Sequence, residues 1–225
     1  MTIAYELLLL THGVAGIVAL LLFWIPALSR KGSPLHRKAG KAYVWVMSVT
    51  VLTAWPLALK LGLQGQAVLA LFLAYLAVLT ATTVWNGWRA PRAKRDFRRY
   101  THAGHAAAGA ANLLGGLAMA ILGMMYDTML LLAFAPVGMG IGMAMLLQWR
   151  RPPDEPRAWL YEHFGGMIGS GIAAHVAFFA VGARSLLELG TSGYGVLLWV
   201  APVVVGTAAI SWLNVHYRRP ATPAP

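Results

Sequence analysis

The chain has 225 residues, 59% of them hydrophobic and only 11% charged, with a net charge of +11 and no Cys. A soluble domain carries about 25% charged residues, so this composition belongs to a membrane protein. The missing Cys excludes disulfides, thiolate metal sites and a cysteine nucleophile. Any metal or cofactor must then be held by His, Met, carboxylate or backbone. The basic residues fall in short runs between apolar segments, which is the pattern of topology signals, and nucleic acid is excluded as a partner on that ground.

Seven apolar segments have the roughly 20 residues that cross about 30 Å of hydrocarbon. They lie at about 3–28, 41–61, 66–88, 101–125, 128–149, 159–183 and 193–215. No Lys or Arg precedes Arg30 and the first apolar run is long, so that segment reads as a span and not as a cleavable signal peptide. The loops are short. The expected fold is an all-α, seven-helix transmembrane bundle forming a single domain, with a Pro/Ala tail at 220–225.

Loop 1–2 carries Arg30, Lys31, Arg37, Lys38 and Lys41, and loop 3–4 carries Arg89, Arg92, Lys94, Arg95, Arg98 and Arg99. Loop 5–6 carries Arg150, Arg151 and Arg157, the tail carries Arg218 and Arg219, and only Lys60 and Arg184 fall on the other side. The positive-inside rule then predicts an outside N-terminus and a cytoplasmic C-terminus in a bacterial inner membrane. Trp85, Trp88, Trp149, Trp159, Tyr161, Trp212 and Tyr217 sit at the predicted cytoplasmic boundary, where aromatic belts form.

Pro26, Pro56, Pro136 and Pro202 fall inside or near the ends of spans and read as kinks. Gly165, Gly169 and Ala173 on helix six, and Gly138 and Gly142 on helix five, recur at four-residue spacing. Such stripes predict close helix packing.

Ionisable residues inside a membrane are costly and are functional candidates. His12 and His175 come out about 13 and 12 Å deep from the outer face at about 1.5 Å per residue, so they share a level. His36, His102, His105 and His163 open helices two, four and six at the cytoplasmic edge, and His216 ends helix seven as an interfacial residue. His12, His36 and His105 are each followed four residues later by a glycine, namely Gly16, Gly40 and Gly109. Residues four apart share a helix face, so each imidazole stands beside bare backbone. Asn112, two turns after His105, lies on roughly the same face. Glu6, Asn86 and Asn214 are the other polar positions of note, the two asparagines reading as interhelical hydrogen-bonding groups.

One histidine pair outside and a cluster inside suggest two sites stacked across the bilayer. Bis-imidazole ligation of b-type haem takes one His from each of two helices. Gly16, Gly40, Gly109 and Gly171 could supply the flat surroundings, and Arg37, Lys38 and Arg99 could meet propionates. Zinc is the rival occupant: His36, His102, His105 and His163 have the donor type for a three- or four-nitrogen site. Metal-bound His normally has an outer carboxylate or carbonyl partner, and Glu162 is the only acid near in sequence. No H-E-x-x-H occurs. A third reading is a non-catalytic accessory or small-molecule-binding protein whose histidines only line a polar cavity.

The runs H-R-K-A-G-K-A-Y-V (His36–Val44) and E-H-F-G-G-M-I-G-S-G-I-A-A-H-V-A-F (Glu162–Phe178) resemble an uncharacterised bacterial family of multi-pass membrane proteins, over most of the chain. Separately, His12-Gly13 followed by His36-Arg37 is similar to the opening of the transmembrane b-type cytochromes of the ascorbate-reducible class. That resemblance covers some 30 residues and implies haem ligands near opposite faces on the first two helices. It carries over His12 and His36 alone, because helix three here has no His and seven helices replace six. The expectation is a haem-binding membrane protein, an oxidoreductase if an enzyme, moving electrons between the two faces. It takes one haem at an outer site of His12 and His175. A second goes to an inner site drawing two ligands from His36, His105 and His163, with His102 in reserve. Membrane lipid surrounds it, and a quinone or other redox partner is expected.

Overall fold

The computed structural model describes residues 3–183 and 195–218, so Arg184, Arg219 and the tail at 220–225 lie outside the described residues. Among the described residues there is no strand, and seven long helices follow one another: α1 (Ile3–Leu28), α2 (Pro34–Leu63), α3 (Ala67–Arg89), α4 (Ala103–Met125), α5 (Met129–Arg150), α6 (Ala158–Ala177) and α7 (Gly195–Tyr217). All seven are long and apolar enough to cross a membrane, which makes the chain a multi-pass membrane protein. Their outer faces carry large apolar side chains such as Leu21, Trp45, Leu52, Leu59 and Val205, as a lipid-solvated surface requires.

The helix starts follow local chemistry. Ser33 accepts a hydrogen bond from the His36 N–H at 3.1 Å, and Pro34 is the first helical residue. An N-cap Ser followed by Pro at the first position is a strong helix start. It moves the beginning of α2 seven residues ahead of the apolar stretch at 41 and places His36 in the first turn. Gly65 turns the chain between α2 and α3 at φ 83°, a conformation glycine adopts without steric cost. After α3, two short 3-10 turns at Ala90–Arg92 and Phe97–Arg99 carry the basic loop.

α4 and α5 form a hairpin with backbone-to-backbone contact. A Cβ added at Gly142 would stand 2.5 Å from the Gly109 carbonyl oxygen, and one at Gly116 would stand 2.7 Å from that of Ala135. Helix faces bare of side chains permit this approach, and Gly138 and Gly142 are the packing stripe expected of helix five. On helix six, Gly169 of the expected stripe packs on the Thr83 side chain, 3.1 Å from an added Cβ, but the closest backbone approach lies at Gly166 and not at Gly165. Gly165 has nothing within 4 Å of an added Cβ, whereas Gly166 would meet the Gly87 nitrogen at 2.5 Å. Four-residue spacing identifies a stripe but not which neighbour it faces.

α3 and α6 lie centrally: α3 packs on α2, α4 and α6, while α6 packs on α3, α7 and α1. One apolar cluster, Phe72, Tyr75, Leu79, Met119, Leu131, Phe134, Ala135 and Val176, joins α3 to α4, α5 and α6. A second, Ala19, Tyr43, Val44, Met47, Val84 and Ala174, joins α1, α2, α3 and α6. The residues Phe178–Ala183 extend α6 as a π-helical turn.

Candidate functional site

The basic loops gather at one end of the bundle, where α1, α3, α5 and α7 end and α2, α4 and α6 begin. Arg157 at the start of α6 donates to the Tyr217 carbonyl at the end of α7 (2.8 Å), tying the two helices there.

His36 and His163 come together at this end, their ring centroids 6.2 Å apart and their planes inclined by 68°. Each ring is held by a backbone carbonyl at Nδ1, His36 by Pro26 (3.1 Å) and His163 by Gly87 (2.8 Å). Both carbonyls are free for reasons written in the chain. Pro26 lies in the last turn of α1, where carbonyls lack helical partners. It also accepts from the Lys31 ammonium at 2.9 Å, whose pKa burial lowers. The helical partner of the Gly87 carbonyl would be the N–H of residue 91, which is Pro91 and has no N–H. An Nδ1–H donated to a carbonyl leaves Nε2 as the lone-pair nitrogen of a neutral imidazole, the arrangement of a metal-ligating His. A metal about 2.0–2.1 Å from one nitrogen of each of two rings needs the rings at roughly the separation found here.

Two turns further on, Tyr43 and Ser170 repeat the contact, with the Tyr43 hydroxyl 2.7 Å from Ser170 Oγ. Tyr43 follows His36 by seven residues, as Ser170 follows His163, so α2 and α6 face each other in register over about 10 Å. Gly40, one turn above His36, has nothing within 4 Å of an added Cβ. That leaves bare, open backbone beside this imidazole.

The structure does not bring His12 and His175 together. His12 Nδ1 lies 3.1 Å from the Thr50 carbonyl and 3.0 Å from Thr53 Oγ1, both on α2. His175 has both nitrogens engaged, Nδ1 with the Gly171 carbonyl (2.7 Å) and Nε2 accepting from the Trp24 indole (3.2 Å). Trp24 follows His12 by 12 residues, or about 18 Å along α1. The shared level expected of the two rings is therefore not found: His175 meets α1 about two-thirds of a span away from His12, and the two rings turn to different neighbours. Gly16 faces open space, but Gly171 is covered by the Phe23 ring and Gly109 by Met145.

The four-histidine cluster expected at this end divides. His102 is exposed and caps α4, its Nδ1 accepting from the Gly104 N–H at 2.8 Å. His105 is fully buried under the Tyr100 ring and donates to Gln148 through Nε2 (3.2 Å). Gln148 in turn donates to Glu162 Oε1 (2.6 Å), and the Tyr100 hydroxyl donates to Glu162 Oε2 (3.0 Å). Burial and the Glu162 carboxylate push the Tyr100 phenol well above its ordinary pKa. Among the described residues no three His, Asp or Glu side chains gather as a metal-holding group. Arg99 is paired with Asp96 at 3.0 Å on the exposed loop, and His216 stacks on Trp212 with centroids 5.1 Å apart, as an interfacial residue would.

Tyr100, Gln148, Trp24 and the Tyr43–Ser170 pair were not singled out from the sequence, since each looks like an ordinary span or interface residue there. Pro91, four residues after Gly87, was a legible signal for a free carbonyl. Comparison with family models, with curated proteins and with solved structures finds no match for this chain.

Proposed function

We propose that this chain is a b-type haem-binding protein of the membrane, with His36 and His163 as the residues that would hold the haem iron, serving one-electron transfer within the bilayer. The observation that carries the reading is the His36–His163 pair, two imidazoles on facing helices with each Nδ1 tied to a carbonyl that its own helix leaves free. Held by them, haem would supply one-electron redox chemistry, with its potential tuned by the two imidazoles and their surroundings.

The chain's own contributions are ligation and orientation. The Pro26 and Gly87 carbonyls set the imidazole tautomers and raise their basicity. Gly40 leaves room beside His36, and Arg37 and Lys38 in the first turn of α2 are cationic groups of the kind that pair with propionates. The positive-inside rule supports a cytoplasmic position for this end, in an inner membrane. His12 and His175 have no part in this site, so the reading requires one haem and not two.

The test is the absorption spectrum of the purified protein, with and without added haem. A Soret band is expected in the wild type, lost in His36→Ala and in His163→Ala and kept in His105→Ala and His175→Ala. A wild-type preparation with no Soret band that also takes up no added haem would reject the proposal. About one zinc and no iron per chain on elemental analysis would instead favour a zinc site at the same imidazoles.

A further inference from the structure

We propose that the seam between α3, α4 and α5 holds a file of internal water, running from His105 at the basic end toward the centre of the bundle. Four buried side-chain polar atoms have no hydrogen-bond partner among the described residues: Asn86 Oδ1, Arg89 Nη1, His105 Nδ1 and Asn112 Oδ1. Inside a bilayer, lipid cannot satisfy such atoms, so they are costly unless something polar reaches them.

The hydrogen-bond network shows what they lack. Gln148 gives its amide N–H to Glu162, so its oxygen faces His105 and the proton of His105 lies on Nε2. Nδ1 is then a bare acceptor. Asn112 uses its amide nitrogen on the Ala108 carbonyl (2.7 Å) and on Thr82 Oγ1 (2.8 Å), which leaves Oδ1 as a second acceptor. Asn86 turns its nitrogen to Met145 Sδ (3.4 Å) and leaves Oδ1 as a third; flipping that amide would only exchange one unpartnered end for the other. Three buried acceptors need donors.

Their placement decides what kind of donor. The helices are stitched at successive turns: His105 to Gln148, then Asn86 to Met145, then Asn112 to Thr82. His105 and Asn112 are seven residues apart on α4, about 10 Å along the axis, and no single small ligand or ion spans that distance. Internal waters, each making about three hydrogen bonds to otherwise unsatisfied groups, can. Arg89, at the basic end of the same seam, donates through Nη2 to the Arg99 and Tyr100 carbonyls (3.1 and 3.3 Å) and keeps Nη1 for the file. His105 and Asn112 have no solvent exposure and Asn86 has 6%, so the file is internal and not a groove open to lipid.

Met145 is a built-in reporter. It is 3% exposed, like Met119 at 3% and Met47 at 2%, but those two sit in apolar clusters. Radiolytic hydroxyl-radical labelling of the purified full chain, read by mass spectrometry, oxidises side chains next to bound water. Met145 should be oxidised several-fold faster than Met47 and Met119, and Asn86→Leu should bring it down to their rate while theirs stays unchanged. Equal labelling of the three buried methionines in the wild type would overturn the proposal, as would unaltered Met145 labelling in a folded Asn86→Leu protein. The readout does not depend on haem, so its outcome is independent of the His36–His163 site.

Discussion

Gly87 and Gly166 touch backbone to backbone: a Cβ on Gly166 would stand 2.5 Å from the Gly87 nitrogen, and one on Gly87 would stand 2.8 Å from the Met167 nitrogen. This crossing of α3 and α6 brings the His163 ring, one turn earlier on α6, to the Gly87 carbonyl freed by Pro91. The orientation of the candidate ligand is thus a consequence of how closely two helices approach.

Gly166→Ala forces the helices apart. Inserting even a methyl group into a tight contact costs about 1–3 kcal/mol, and the shift takes His163 off its carbonyl. The variant should unfold more readily in a denaturant titration and should take up less haem. The neighbouring Gly165→Ala, which meets nothing within 4 Å, should hold or raise stability through helix propensity and leave haem uptake unchanged.

Gly40→Leu separates binding from stability. The space beside Gly40 is open, so a larger side chain meets no protein and helix propensity improves by somewhat less than about 1 kcal/mol. The melting temperature of the haem-free protein should hold or rise, while the Soret absorbance per chain should fall. Unreduced haem uptake would remove Gly40 from the site.

The Tyr43–Ser170 bond is the α2–α6 contact two turns above the histidines, and it is buried on both sides. Hydrogen bonds between transmembrane helices average about 0.6 kcal/mol and reach about 1.7 kcal/mol. A double-mutant cycle of Tyr43→Phe and Ser170→Ala should give a coupling energy in that range. A value indistinguishable from zero would mean that the pair adds nothing to helix register.

His102 supplies a pH dependence. Slight desolvation where the exposed ring folds over the helix start, with the nearby Arg89 guanidinium, holds its imidazole below the ordinary value of 6.5, and only the neutral ring can accept the Gly104 N–H. A lowered folded-state pKa means that the unfolded chain binds the proton more readily, so stability rises with pH across this window. The cap is fully present above about pH 6.5 and is lost as pH falls through the folded-state value. His102→Asn keeps a capping oxygen without the titration, so the fall in melting temperature on acidification should be smaller in that variant.

The spans were legible in the sequence because apolar length and basic loops are local properties. The expected 3–28 matches α1 (Ile3–Leu28), and 128–149 is within one residue of α5 (Met129–Arg150) at each end. The span at 41–61 covers only the apolar part of α2 (Pro34–Leu63), because hydropathy does not register a Ser33–Pro34 cap followed by a basic stretch, although His36 reads as opening that helix. The seven histidines were equally visible, and counting residues gave each a depth.

What hydropathy and residue counting could not supply was which rings meet. That depends on helix rotation and crossing, and these are set by contacts between residues far apart in the chain: Gly87 with Gly166, Tyr43 with Ser170, Gly109 with Met145. Those contacts gave His163 to His36, turned His175 to Trp24, and left His12 with Thr50 and Thr53. Sequence alone determined a seven-helix membrane protein rich in histidine, because the bilayer selects for length and polarity residue by residue. Tertiary structure alone selected a single pair among those histidines, because pairing is decided where bare backbones let two helices come close.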